Sequence, residues 1–338
     1  MSNFWQEIST QSGSALGRKK PILCIAPMAD VTDAAFRYII AKYSKLPYIT
    51  YTEFVSADGL VLASEEGKKK LLKNLEYKEI EKPIVAQIFG SNPENIEKVA
   101  KLIVGLGFNG LDINMGCPDR VVEKQGAGAA LIKNSKLARE IITAAKIGIK
   151  EVTKKLNKEE IPVSVKTRLG YNKDELEEWL PELLAENPAA VIIHARTRKE
   201  MSKVSARWER IKKAVEIRDK IKSKTFIIGN GDILSVKDAI QKCKETTADG
   251  AMIGRSILGN PWFFSDHIPD LKERLGVLSE HIELFEKKLG DLKSFAIMKK
   301  HFKVYLKNPQ LKKLRLQLME TEGYKEALDL ISRYKLPN

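Results

Sequence analysis

The sequence predicts an α/β chain, a (β/α)8 TIM barrel followed by a small C-terminal all-α helical domain, and three observations carry that expectation. Eight short β-rich runs recur before Phe264, each with turn residues behind it, matching such a barrel in count and size. Amphipathic stretches long enough for parallel crossovers separate them. Several runs are apolar on consecutive positions, as in Ala190-Val191-Ile192-Ile193 and Phe226-Ile227-Ile228, which suits strands covered on both faces.

In chain order the runs are Ile22 to Met28, Tyr48 to Phe54, Pro83 to Gly90, Gly110 to Cys117, Pro162 to Gly170, Ala190 to Arg196, Thr225 to Gly231 and Gly250 to Ser256. Helical patterning falls between them, at Asn95 to Leu106, Lys136 to Leu156, Lys173 to Ala185 and Val236 to Lys244. A doubly wound sheet is the alternative, but no Gly-x-Gly-x-x-Gly turn follows the first run. After Pro261-Trp262-Phe263-Phe264 the strand signals stop, and Ser279 to Tyr334 reads as several helices joined near Asn308-Pro309 and Glu322-Gly323. The expected domains are therefore 1–264 and 265–338.

A formal charge of +14 over 338 residues favours an acidic partner, either nucleic acid or an anionic surface. No apolar run approaches the roughly 18 residues that span a bilayer, and the first twenty residues, ending in Arg18-Lys19-Lys20, lack a signal-peptide core. Cysteine occurs only at 24, 117 and 243, with no paired or zinc-like spacing, so no metal is expected. These features predict a reducing, cytoplasmic setting without membrane attachment, and none calls for an obligate protein partner. Lys299 to Arg315 carries seven Lys and Arg and no acid, a run that by itself reads as a solvated helix face.

In a barrel the reactive groups project from the C-terminal strand ends and the loops beyond. Asn230-Gly231-Asp232 and Gly254-Arg255 end the last two runs, where such barrels commonly hold phosphate through backbone N–H groups. Cys117, between Gly116 and Pro118, cannot continue regular structure, so its thiol should face the mouth. Cys24 and Cys243 read instead as small buried hydrophobes. Lys166 and His194 end the fifth and sixth runs and should point at the same mouth, where a cation stabilises developing negative charge.

Together these residues resemble the tRNA-dihydrouridine synthase family over Ile22 to Arg333. The most specific stretch is Asp112-Ile113-Asn114-Met115-Gly116-Cys117-Pro118, followed by Val121-Val122 and Gln125-Gly126-Ala127-Gly128-Ala129-Ala130-Leu131. Ala26-Pro27-Met28-Ala29, Gln87-Ile88-Phe89-Gly90, Val165-Lys166-Thr167-Arg168, His194-Ala195-Arg196-Thr197-Arg198, Asn230-Gly231-Asp232-Ile233 and Ile253-Gly254-Arg255 support it. The resemblance implies FMN at the mouth, with Pro27, Met28 and Ala29 against the ring and Gln87 and Lys166 on its polar edge. It places the FMN phosphate on Asn230, Gly231, Asp232, Gly254 and Arg255, beside His194. It further implies NADPH as reductant, hydride transfer from flavin N5 to uracil C6, and Cys117 as the acid that protonates C5. A neutral thiol is needed for that role, and an unperturbed cysteine supplies one at neutral pH.

The same resemblance makes tRNA the partner. Asn114, Arg168, Arg196 and Arg198 would contact it near the mouth, and Lys299, Lys300, Lys303, Tyr305, Lys307 and Arg315 would do so from the helical domain. The target base must leave its stack to reach the pocket. Two departures stand out: Lys199 to Arg207 lacks the aromatic and glycine usual before Trp208, and Asn308 replaces a common glycine. A flavin barrel acting on a free pyrimidine would share much of the mouth, and a noncatalytic tRNA-binding barrel would lack the flavin.

Overall fold

Residues 4–11 and 20–335 are described in a computed structural model. The reading of 12–19 within the N-terminal twenty lies outside them. Nine parallel strands occur: β1 Ile22–Ile25, β2 Thr50–Tyr51, β3 Val55–Ser56, β4 Ile84–Phe89, β5 Gly110–Asn114, β6 Val163–Arg168, β7 Ala190–His194, β8 Phe226–Asn230 and β9 Gly250–Ile253. Their order is β1-β9-β8-β7-β6-β5-β4-β2, and a parallel bridge between Cys24 and Ile49 brings the two ends together. The eightfold parallel ring expected from the sequence is thus present.

One of the eight is broken. The run Tyr48 to Phe54 becomes β2 and β3, both pairing with β4. Tyr51 pairs with Val85 and Val55 with Ile88, so three residues (52–54) stand opposite two (86–87). This is a bulge, which bends a strand and re-aims its side chains. Thr52 Oγ1 accepts the Gln87 N–H at 3.0 Å and satisfies the donor freed there.

The helices begin where caps permit. Asp33 accepts the N–H groups of Ala35 and Phe36 and starts Ala34–Tyr43, and Asn92 with Pro93 starts Pro93–Gly105, two residues before the apolar periodicity. The expected helix from Lys173 starts only at Leu176, because Glu175 folds back, its N–H on the Leu169 carbonyl and its carboxylate on the Tyr171 N–H. The terminal helices are Leu271–Leu289, Met298–Tyr305, Lys312–Glu320 and Tyr324–Arg333. The first starts at Leu271 rather than Ser279 because Asp270 caps it.

Three apolar clusters hold the molecule. The largest lies between the strands and their helices. A second fills the lower barrel with Ile22, Cys24, Tyr51, Ile192 and Met252, and Trp5 of helix Phe4–Gln11 closes it by stacking on Phe226. The third joins the terminal helices to Ala35 and Ile39 of the barrel helix Ala34–Tyr43. As expected, Cys24 and Cys243 are buried. No described helix is long and apolar enough to cross a membrane.

Arg37 and Glu81 form a fully buried ion pair at 2.8 Å. The same guanidinium donates to the carbonyls of Thr32 and Glu76, so it anchors the segment behind β1. Removing one partner strands a desolvated charge. Glu81→Ala should lower the unfolding free energy by about 3–5 kcal/mol; urea denaturation showing less than about 1 kcal/mol would contradict this reading.

Candidate active site

The carboxyl ends of the strands surround a cleft of about 700 Å³. Pro27, Met28, Lys166, Arg168, His194, Arg196, Asn230, Gly231, Asp232, Gly254 and Arg255 all line it, so residues distant in sequence share one mouth. Ala29 is exposed beside it. The loop carrying Met28 is held by Thr32, whose Oγ1 accepts the Met28 N–H at 2.9 Å and donates to the Met28 carbonyl.

The ends of β8 and β9 bring glycine backbone to the cleft wall, Gly231 buried and Gly254 half-buried. Gly231 sits at φ +126°, and a Cβ there would come within 2.8 Å of Ala206 Cβ and 3.2 Å of His194 Cδ2. At Gly254 a Cβ would meet nothing nearer than Ala26 Cβ at 4.0 Å, so a side chain would project into open space. Asn230 donates to the Met252 carbonyl at 2.7 Å and ties the two strand ends together. The Asp232 carboxylate is engaged by Arg196, by Arg255 at 3.2 Å and by the Ala206 N–H at 2.9 Å. What Asp232 can still offer an anion is its backbone.

Electrostatically the cleft lacks negative charge. Its lining holds Lys166, Arg168, Arg196 and Arg255 against the single carboxylate of Asp232. Burial and the neighbouring Arg168 bring the Lys166 ammonium down to about 8. Burial, reinforced by Arg168, Lys166, Arg196 and Arg255, drives His194 down to about 2, so its imidazole is neutral. The Arg196 guanidinium lies 3.1 Å from His194 Nε2 and can only donate, which leaves Nε2 as acceptor and the proton on Nδ1. A phosphate-bearing group fits this cradle of cleft-lining glycine backbone and surplus cation.

Cys117 is partly exposed beside the cleft, whose lining its neighbour Pro118 joins. Asn114 Oδ1 accepts the N–H groups of Gly116 and Cys117 at 3.1 and 2.9 Å, and Arg168 donates to the Gly116 carbonyl at 2.7 Å. The Cys117 carbonyl takes the Ala129 N–H at 2.9 Å, and a Cβ on Gly128 would strike that carbonyl at 2.8 Å. Three neighbours therefore fix one loop, and Gly128 leaves room for it. Burial is the largest influence on the thiol and pushes it up, with Lys166 and Arg168 pulling the other way.

Below the mouth lies a polar layer. Gln87 is fully buried, donates to Asp112 at 2.7 Å and accepts from Asn114 at 3.0 Å. Asp112 also accepts from Ser164 at 2.6 Å, and burial raises it to about 6. Sequence reasoning gave Asp112 no role, although an acid inside an apolar parallel strand was the available signal.

The residues expected to meet RNA separate into groups. Arg168 and Arg196 are buried in the wall, Arg168 donating to the carbonyls of Gly116, Thr197 and Met201 and Arg196 to that of Val204. Arg198 pairs with Glu123 and lies over Tyr171 at 5.0 Å. The divergent 199–207 loop thus enters the site through its carbonyls. On the terminal helices Lys300, Lys303 and Lys307 are exposed, Lys299 is half-buried, and Arg315 donates to the Leu306 carbonyl. Tyr305 requires a correction: it is buried with Met298, His301 and Phe302 on the packed stripe of its helix, so it supports the core instead of facing RNA.

The sequence model of dihydrouridine synthase (Dus) matches residues 24–336. The chain belongs to the dihydrouridine synthase family. Relatives agree: a probable tRNA-dihydrouridine synthase of Staphylococcus aureus (strain MRSA252) is 36% identical over 98% of this chain and 96% of its own. The probable tRNA-dihydrouridine synthase 2 of Bacillus subtilis (strain 168) is 36% identical over 98% and 97%. Among solved structures, morphinone reductase aligns at 13% identity with a TM-score of 0.48, over 72% of this chain and 84% of that one. As a dihydrouridine synthase the chain is an oxidoreductase.

The depressed His194 has a signed consequence. Below its ordinary value near 6.5 the unfolded chain takes up a proton that the folded chain refuses, so His194 lowers stability as pH falls from 6.5 toward about 2. His194→Asn should flatten the loss of stability between pH 6.5 and 5, measured by urea midpoints. In wild type, nitrogen NMR should show Nε2 unprotonated throughout that window, and an imidazolium signal at pH 5 would refute the assignment.

Proposed function

We propose that this chain reduces the C5–C6 double bond of selected uridines in tRNA, with FMN as cofactor and NADPH as reductant, in the cytoplasm and without an obligate protein partner. The supporting observation is the shared mouth: a cationic, glycine-lined cleft whose wall includes Pro118, next to a structurally clamped cysteine that lies within electrostatic reach of the cleft's Lys166 and Arg168. Asn230, Gly231, Asp232, Gly254 and Arg255 would hold the FMN phosphate, the first four partly or wholly by backbone. Pro27, Met28 and Ala29 would lie against the ring, with Lys166 and Gln87 toward its polar edge. When bound, the reduced flavin supplies the hydride that reaches C6.

The chain's own residues do the rest. Hydride addition at C6 leaves an electron pair delocalised over C5 and O4, and that pair must take a proton. Cys117 holds one, because burial keeps its thiol neutral at pH 7. Its S–H bond breaks as the C5–H bond forms, and solvent reprotonates the thiolate. Asn114 keeps the sulfur in place by binding the two N–H groups of its loop. Among the described residues Lys166 makes no ion pair with a carboxylate, so its ammonium is available to charge developing on the base. Excluding water from this half-buried wall strengthens that attraction.

We assign RNA binding to the terminal helices, with the division between the two domains at 264/265. Lys300, Lys303 and Lys307 recur at three- and four-residue intervals, opposite the buried stripe of Met298, His301, Phe302 and Tyr305. One exposed edge therefore carries successive positive charges, suited to phosphates along a strand.

Cys117→Ala should cut dihydrouridine formation by about 10²–10⁴-fold while leaving flavin bound; full turnover in that variant would remove the cysteine from the mechanism. Because the thiol is raised, the wild-type rate should hold through neutral pH and fall only above the ordinary thiol range. Reversing the charge of Lys300, Lys303 and Lys307 should flatten the salt dependence of tRNA binding by about 0.7–0.9 log units per lost phosphate contact. An unchanged slope would move the RNA surface elsewhere.

A further inference from the structure

Besides the surface pairs of Lys42 and Tyr43 with Glu280 and of Lys73 with Asp291, the terminal helices touch the barrel in two buried places of different character. One is apolar, where Ala35 and Ile39 meet the cluster of Leu278 and Phe302. The other is charged and lies beside the mouth. The bulge between β2 and β3 turns Glu53 out of the strand ladder, and its carboxylate accepts the Asp30 N–H at 2.6 Å. Both oxygens of the same carboxylate take Lys293 Nζ at 2.8 Å. Asp30 adds its own carboxylate, 3.5 Å from Lys293 and 3.7 Å from Lys300 of the basic helix.

These contacts differ from an ordinary surface pair. The Glu53 and Lys293 side chains are 8% and 13% exposed, so cutting one leaves the other poorly solvated. Lys293 is itself fixed, its N–H bonded to the Leu289 carbonyl at the end of helix Leu271–Leu289. Asp30 directly follows Pro27-Met28-Ala29, the segment lining the cleft. One carboxylate thus grips the cleft loop with one contact and the helical segment with another. The Lys42–Glu280 and Lys73–Asp291 pairs are open to solvent and hold weakly, so the buried Glu53–Lys293 pair at the mouth is the stiffer charged anchor.

We infer that Glu53 and Lys293 are positioning residues that set the angle between the basic helix and the barrel mouth, and thereby how productively a bound tRNA presents its uridine to Cys117. This rests on the RNA-reducing activity proposed above. Neither residue touches the cleft's reacting groups, so their removal should disturb alignment and spare the flavin half-reaction. A misplacement of about 1 Å can cost about 100-fold in rate.

The test compares Lys293→Met and Lys293→Arg with wild type in the flavin-loaded full chain. In Lys293→Met, flavin content and NADPH-driven flavin reduction should match wild type, kcat/KM for tRNA should fall about 10- to 100-fold, and hydrogen exchange at 290–297 should accelerate. Lys293→Arg, which keeps the cation, should recover most of kcat/KM. An unchanged kcat/KM in Lys293→Met with unaltered exchange overturns the inference. Equal loss of flavin content and kcat/KM in both variants also overturns it, because it marks a merely structural role. Failure of the wild-type chain to form dihydrouridine at all would refute the activity beneath, and the exchange comparison would still report on the anchor.

Discussion

Surplus positive charge held in a half-buried mouth is the constraint on which the rest of the site depends. Four cations and one carboxylate line the cleft, and such groups would repel one another or draw in water if left mobile. They are held because Arg168 and Arg196 spend their donors on four carbonyl oxygens in the loops after β5 and β7, converting repulsive side chains into structural cross-links. Burial first, and the surrounding cations second, depress both His194 and Lys166. An anionic group entering the cradle relieves that repulsion, so the site favours an anionic ligand.

The barrel supplies the geometry that makes this arrangement possible. Parallel strands in a closed ring place every carboxyl end on one side, so Cys117 after β5 and the glycines after β8 and β9 meet although more than a hundred residues separate them. The other end is closed by an element with a different task, as Trp5 of the N-terminal helix packs the barrel floor. Between them Gln87, Asp112, Asn114 and Ser164 form a satisfied polar layer. This layer holds Asn114 toward the cysteine loop and ties the chemistry to the interior of the fold.

Much of this was legible in the sequence. The strand runs located all eight ring positions, because each is a short β-rich segment followed by turn residues. The cleft-lining positions Lys166, His194, Asn230, Gly231 and Gly254 followed from the rule that barrel function sits at strand ends. Tyr305 was misplaced because a tyrosine within a basic run looks exposed until the helix phase shows which stripe is packed. Leu271 was missed as a helix start because Asp270, its cap, stands in a mixed polar stretch. Asp112 and Glu53 went without roles because a carboxylate's meaning depends on its partners, and theirs come from other elements.

What the sequence by itself determined was therefore periodic or local: the alternation of strand and helix, the glycines at the last strand ends, the cysteine between Gly116 and Pro118, and the family those motifs mark. Each is read from neighbours within a few residues. Tertiary structure alone decided which cations are spent as cross-links, which tautomer His194 holds, where the second strand bulges, and that Lys293 closes on Glu53 across the two parts of the chain. These depend on contacts between segments up to 240 residues apart, where no local pattern reaches and only the folded geometry assigns partners.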